Sequence, residues 1–165
     1  MSGRLEKIKR MALEDLLNVN PDYAATGYAH LSYVACLGAL LARKRGCDME
    51  LCQAAGFLHD VWLHERAPYS QADCDAHAAE GAKLARRMME QEGEFAPEEI
   101  ETVARMIENH DFTRQTDDPM SEILKDADML SHYLNASALG REEEFNPRAA
   151  LALEEMHALN KKGEK

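Results

Sequence analysis

Residues 54–62 read AAGFLHDVW, which sets His59 and Asp60 side by side inside an apolar run. Leu51, Ala54, Leu58 and Val61 recur at helical spacing. They predict one face of a helix from Asp48, a suitable N-cap, to about His64. Folding buries a segment this apolar, and an ionisable pair carried inside with it needs a partner.

Working outward, the same kind of interruption recurs in four other segments. His30 falls in register with Val34, Leu37 and Leu41, and His77 with Gly81, Leu84 and Met88. His110 continues the stripe Ile100, Val103, Ile107, and Asp128 follows Leu124 beside Ala127. One histidine on an apolar face is ordinarily a satisfied core residue, and one buried aspartate ordinarily caps a helix or pairs. Five helices aiming such groups inward need a common partner, and a divalent cation is one. Imidazole with carboxylate suits Fe, Mn, Co, Ni or Zn, and the absence of cysteine from the set argues against a structural zinc site.

The rest of the chain is helical in pattern, punctuated by turn signals. The segments predicted are about 4–19, closing at Asn20-Pro21; 22–45, stopped by Gly46; 48–64; 75–92, ended by Gly93; 97–110, opened by Pro97; 119–139, closed by Gly140; and 147–161. No alternating strand pattern or repeat interrupts them. The expected fold is all-α, an orthogonal multi-helix bundle. It is expected to form a single domain over 1–165, with its core at about 22–140 flanked by the helices at 4–19 and 147–161.

Among the 165 residues, 30 Asp and Glu against 19 Lys and Arg give a net charge of −11. That argues against long nucleic acid or an anionic membrane as partner. It leaves room for a small phosphorylated molecule, because a bound cation inverts the field of its site. No signal-peptide pattern opens the chain, and no segment is expected to span a bilayer. Cys36, Cys47, Cys52 and Cys74 form no CxxC pair and read as reduced thiols, which makes the cytoplasm the expected compartment. The oligomeric state is left open, a homodimer being compatible with the pattern.

His30, then His59-Asp60 in AAGFLHDVW, then Asp128 in ILKDADMLSHY together resemble the HD-domain metal-dependent phosphohydrolase superfamily, over roughly Tyr28 to Leu139. The resemblance implies that His30, His59, Asp60 and Asp128, rather than Asp126, hold a divalent ion. His77 in DAHAAEGAKLA and His110 in MIENHDF are similar to the additional histidines of members with two ions. Asp60 would then bridge the ions. In the one-ion alternative, His77 and His110 contact the substrate phosphate. Asp60, His77 and His110 are thus the expected catalytic groups, and Lys125 and Arg66 the expected substrate-binding cations. Asp111 stands where relatives often carry another histidine. His64 is placed at the rim or in solvent, His132 shares a face with Asp128, and His157 lies outside the resemblance.

The implied reaction is metal-assisted hydrolysis of a small phosphorylated metabolite, a nucleotide or dinucleotide polyphosphate. The same ligand series is similar to that of mixed-valent di-iron oxygenases of the myo-inositol oxygenase type, which is the alternative chemistry. No GYP triplet follows the HD pair, so the chain does not resemble the cyclic-di-GMP phosphodiesterases that carry one.

Overall fold

The computed structural model describes residues 3–139 and 146–157, which form eight α-helices and no strand. They are α1 (Gly3–Val19), α2 (Pro21–Arg45), α3 (Met49–Leu58), α4 (Val61–His64), α5 (Gln71–Glu92), α6 (Pro97–Asn109), α7 (Pro119–Ala138) and α8 (Pro147–His157). Gly140 and the expected extension of the last helix to Lys161 lie outside the described residues.

The boundaries follow local chemistry. Gly46 (φ 71°) and Gly93 (φ 84°) take the left-handed conformation that closes a helix, each donating its N–H back to the last turn. The Asp48 side chain accepts from Glu50 N and Leu51 N, and Asp118 accepts from Met120 N and Ser121 N. α5 begins at Gln71 rather than Asp75, because Ser70 and Asp73 form a reciprocal capping box.

The expected single helix over 48–64 is instead two. At Asp60 the backbone leaves helical geometry (φ −114°, ψ 13°), so α3 stops at Leu58 and a new turn begins at Val61. The break has a use. Consecutive residues of an unbroken helix point about 100° apart, and releasing Asp60 lets it face the same point as His59.

α2 is the central element, packed against α1, α3 and α7. By length and composition it could cross a membrane (mean hydropathy 1.3 over 18 residues), contrary to the expectation that no segment would. Here Leu31, Val34, Leu41 and Ala42 pack instead into the protein core. Two glycines set the close approaches. A Cβ on Gly56 would lie 2.5 Å from Ala35 Cα, so α3 meets α2 backbone to backbone. A Cβ on Gly81 would lie 2.7 Å from the His59 carbonyl oxygen, which brings α5 against the break. Backbone atoms cannot yield as side chains do, so both positions require glycine.

Candidate metal centre

α2, α7 and the α3–α4 break bring together the first group. His30 Nε2 lies 3.2 Å from His59 Nε2, 3.3 Å from Asp128 Oδ1 and 3.8 Å from Asp60 Oδ2. His59 Nε2 lies 3.6 Å from both Asp60 Oδ2 and Asp128 Oδ1. Ligands about 2.1 Å from a common ion stand about 3.4 Å apart in a tetrahedron. The spacing of this group fits one ion.

α5 and the end of α6 supply the second group. His77 Nε2 and His110 Nε2 are 3.2 Å apart, and they lie 3.7 and 3.5 Å from Asp60 Oδ1. Asp60 thus presents Oδ2 to one group and Oδ1 to the other, as a carboxylate between two ions would.

The imidazoles are oriented for metal. Nδ1 of His59, His77 and His110 each meets the backbone carbonyl three residues earlier, of Gly56, Cys74 and Ile107. An Nδ1–H spent on a carbonyl leaves the Nε2 lone pair for a ligand bond. Around them, Asp60 Oδ1, Asp128 Oδ1 and His64 Nε2 are buried without a hydrogen-bond partner. Buried polar atoms are normally satisfied, and three orphans in one place fit an ionic partner. The donor set and these atoms together fit divalent transition metal.

The electrostatics agree. Burial alone would raise the pKa of Asp60, but the neighbouring imidazoles of His59 and His110 outweigh it and hold the carboxyl well below its usual range. Asp128 is likewise held low against its burial by the imidazoles of His30 and His59 beside it. Burial would depress His110, yet Asp60 overrides it and raises the imidazole to about 9. This pocket attracts positive charge.

The other expected site residues go elsewhere. Lys125 is fully buried and does not approach Asp128: its ammonium donates to the Gln115 carbonyl and Glu122 Oε1 (3.0 Å each) and pairs with Asp117. That engagement argues against its expected substrate role. Three acceptors at the start of α7 and in the preceding loop outcompete the site. Arg66 lies 3.6 Å over the Trp62 ring and donates to the Trp62 carbonyl and to Glu65, so it is engaged on its own segment. Asp111 faces solvent past the end of α6, and His157 is exposed. His132 stands at the mouth, 55% exposed, with Nε2 3.4 Å from Asp128 Oδ1.

His64, expected at the rim or in solvent, is half-buried at the edge of the first group, its ring edge-on to His30 at 5.6 Å. Burial depresses it to about 4, so it is neutral. The signal that would have found it is the Asp60–His64 spacing of four, legible only once the helix is known to restart at Val61. Beside His30 opens a cavity of about 400 Å³ lined by Ala25, Thr26, Tyr33, Ser131, His132 and Asn135 among others.

The family model for the HD domain matches residues 27–133. Ribonuclease Y of Cutibacterium acnes is 34% identical over 118 residues, which are 70% of this chain and 19% of that protein, so the chain spans about a fifth of this curated relative. The crystal structure of a predicted HD superfamily hydrolase from an uncultured Thermotogales bacterium superposes with a TM-score of 0.61 at 22% identity, covering 96% of this chain and 86% of that one. That likeness is one of fold.

Proposed function

This chain belongs to the HD-domain family of metal-dependent phosphohydrolases, and we propose that it hydrolyses a phosphate ester or anhydride of a small nucleotide at a two-ion centre. The observation that carries the reading is Asp60, whose two oxygens face two separate histidine groups. In this proposal His30, His59, Asp60 and Asp128 hold one ion, and Asp60, His77 and His110 the other. Divalent ions held there supply an activated water and polarise a phosphoryl oxygen.

The remaining residues bind and orient. Tyr33 is 67% exposed along the cavity and offers a face on which a base can lie, while Ser131, His132 and Asn135 offer hydrogen bonds. Among the described residues, no Lys or Arg lines this cavity. Phosphate charge must therefore be met by the ions and the histidines. That favours a substrate with one or two phosphates over a dinucleotide polyphosphate. The name of the ribonuclease Y relative raises RNA as a substrate, but a net charge of −11 disfavours a long polyanion. All four cysteines are free, in keeping with a reducing cytoplasm.

The test is phosphate or nucleotide release from a panel of mono-, di- and cyclic nucleotides and dinucleotide polyphosphates. The protein is metal-stripped, then loaded separately with Mn, Co, Ni, Mg or anaerobic Fe(II). Turnover that requires metal, favours mononucleotides and vanishes in Asp60→Ala is the expected result. Two histidine groups around one carboxylate serve a di-iron oxygenase equally well. Oxygen consumption by the Fe(II) form, with no hydrolysis by any form, would decide for that chemistry.

A further inference from the structure

We propose that His64 Nε2 is a fifth protein ligand of the ion held by His30, His59, Asp60 and Asp128, an assignment that rests on the metal-dependent reading of this site.

Four observations lead to it. His64 Nε2 is buried and has no hydrogen-bond partner, and a polar atom shut off from water needs one. The ligand atoms of His30, Asp60 and His64 all lie within 4.8 Å of one another. Two ligands opposite each other on an ion stand about 4.2 Å apart, so this group of three is close to the span that one ion can bridge. The other orphaned buried atoms of the site are Asp60 Oδ1 and Asp128 Oδ1, both acceptors, and what an acceptor oxygen and an unprotonated imidazole nitrogen can share is a cation.

The backbone is also arranged to admit this ring. The break at Asp60 starts the single turn of α4, in which His64 N donates to Asp60 O at 2.9 Å and carries the side chain back over the site. Opposite it on α2, one turn before His30, stands Gly27. A Cβ there would lie 2.8 Å from His64 Cγ and 3.0 Å from its Cβ, so any other residue would displace the imidazole. His132, the other histidine near His30, is largely exposed and can use water as its partner.

Five protein ligands would leave the first ion little room for anything else. The substrate phosphate would then be drawn toward the second ion, held by Asp60, His77 and His110.

The test uses Co(II) alone on metal-stripped protein, measuring affinity by chelator competition and the visible absorption of the Co(II) form. His64→Ala is expected to weaken the first ion at least about tenfold and to change the absorption bands, while His157→Ala, at an exposed position of α8, changes neither. His64→Gln serves if the alanine variant does not fold, as circular dichroism will show, and it too should lose affinity and shift the bands. Unchanged affinity and bands in a folded His64 variant overturn the assignment while leaving the metal-dependent reading intact. Failure of the unmutated protein to bind Co(II), Mn(II) or Fe(II) would overturn both.

Discussion

Asp126 and Asp128 stand two residues apart on α7 and are equally buried, at 8% exposure each, yet they solve the problem of a buried carboxylate in opposite ways. Asp126 is paired on both oxygens, with Arg148 Nη1 at 2.6 Å and Arg45 Nη2 at 2.6 Å. Those arginines are bound in turn to Glu122 and Glu155. Asp128 faces only imidazoles, and its Oδ1 has no hydrogen-bond partner. The first arrangement is complete within the protein and ties α8 to α2 and α7. The second leaves a buried acceptor that the protein does not satisfy. Burial does not separate a structural charge from a functional one; whether the protein itself satisfies that charge does.

The sharpest way to break this comparison is to neutralise each carboxylate in turn. Asp128→Asn should lower the affinity for Mn or Co by more than about 100-fold and abolish turnover. Asp126→Asn should keep both per folded molecule, and lose about 1–3 kcal/mol of stability by leaving the half-buried Arg45 and Arg148 short of a partner. Denaturant melts and chelator competition on the same two proteins decide the matter. Metal loss in Asp126→Asn with none in Asp128→Asn would reverse the assignment.

Lys125 sharpens it from the cationic side. Its ammonium is already spent on Gln115, Asp117 and Glu122. Lys125→Met should therefore lower stability, again by about 1–3 kcal/mol, while KM stays within about twofold. A large rise in KM with unchanged stability would return Lys125 to the substrate.

The smallest effect belongs to a third kind of buried carboxylate, one that keeps a proton. Burial and the neighbouring Asp15 raise Glu65 to about 7, against an ordinary value of 4.5, despite the opposing Arg66. Below about pH 4.5 Glu65 is protonated in both folded and unfolded chains and costs nothing. Between pH 4.5 and 7 the unfolded chain gives up the proton first, so stability falls as pH rises, and the loss is complete above 7. Glu65→Gln should raise the melting temperature at pH 8 and leave it nearly unchanged at pH 4.5. The opposite dependence would show that the ion pair of Glu65 with Arg66 outweighs its burial.

Much of this was legible in the chain. Helix positions follow from apolar spacing and from caps, which are local. The inward-facing residues His30, His59, Asp60, His77, His110 and Asp128 stood out because each interrupts an apolar stripe. Less legible were the events that depend on a distant partner. The start of α5 was placed four residues late although Ser70-x-x-Asp73 spells a capping box. The break at Asp60 carries no glycine or proline to announce it, and the approach of His64 to His30 depends on that break.

By itself the sequence determined the helices, their buried faces and the kind of chemistry gathered at their common side. These depend on the 3.6-residue period and on side-chain type, which act over a few residues. Only the tertiary structure decided which charges would meet. Lys125 lies three residues before Asp128 yet turns to the 115–117 loop, while Arg148 crosses 22 residues of chain to Asp126. Pairing of charges is settled by which groups packing brings within a few ångströms, and no local pattern encodes that distance.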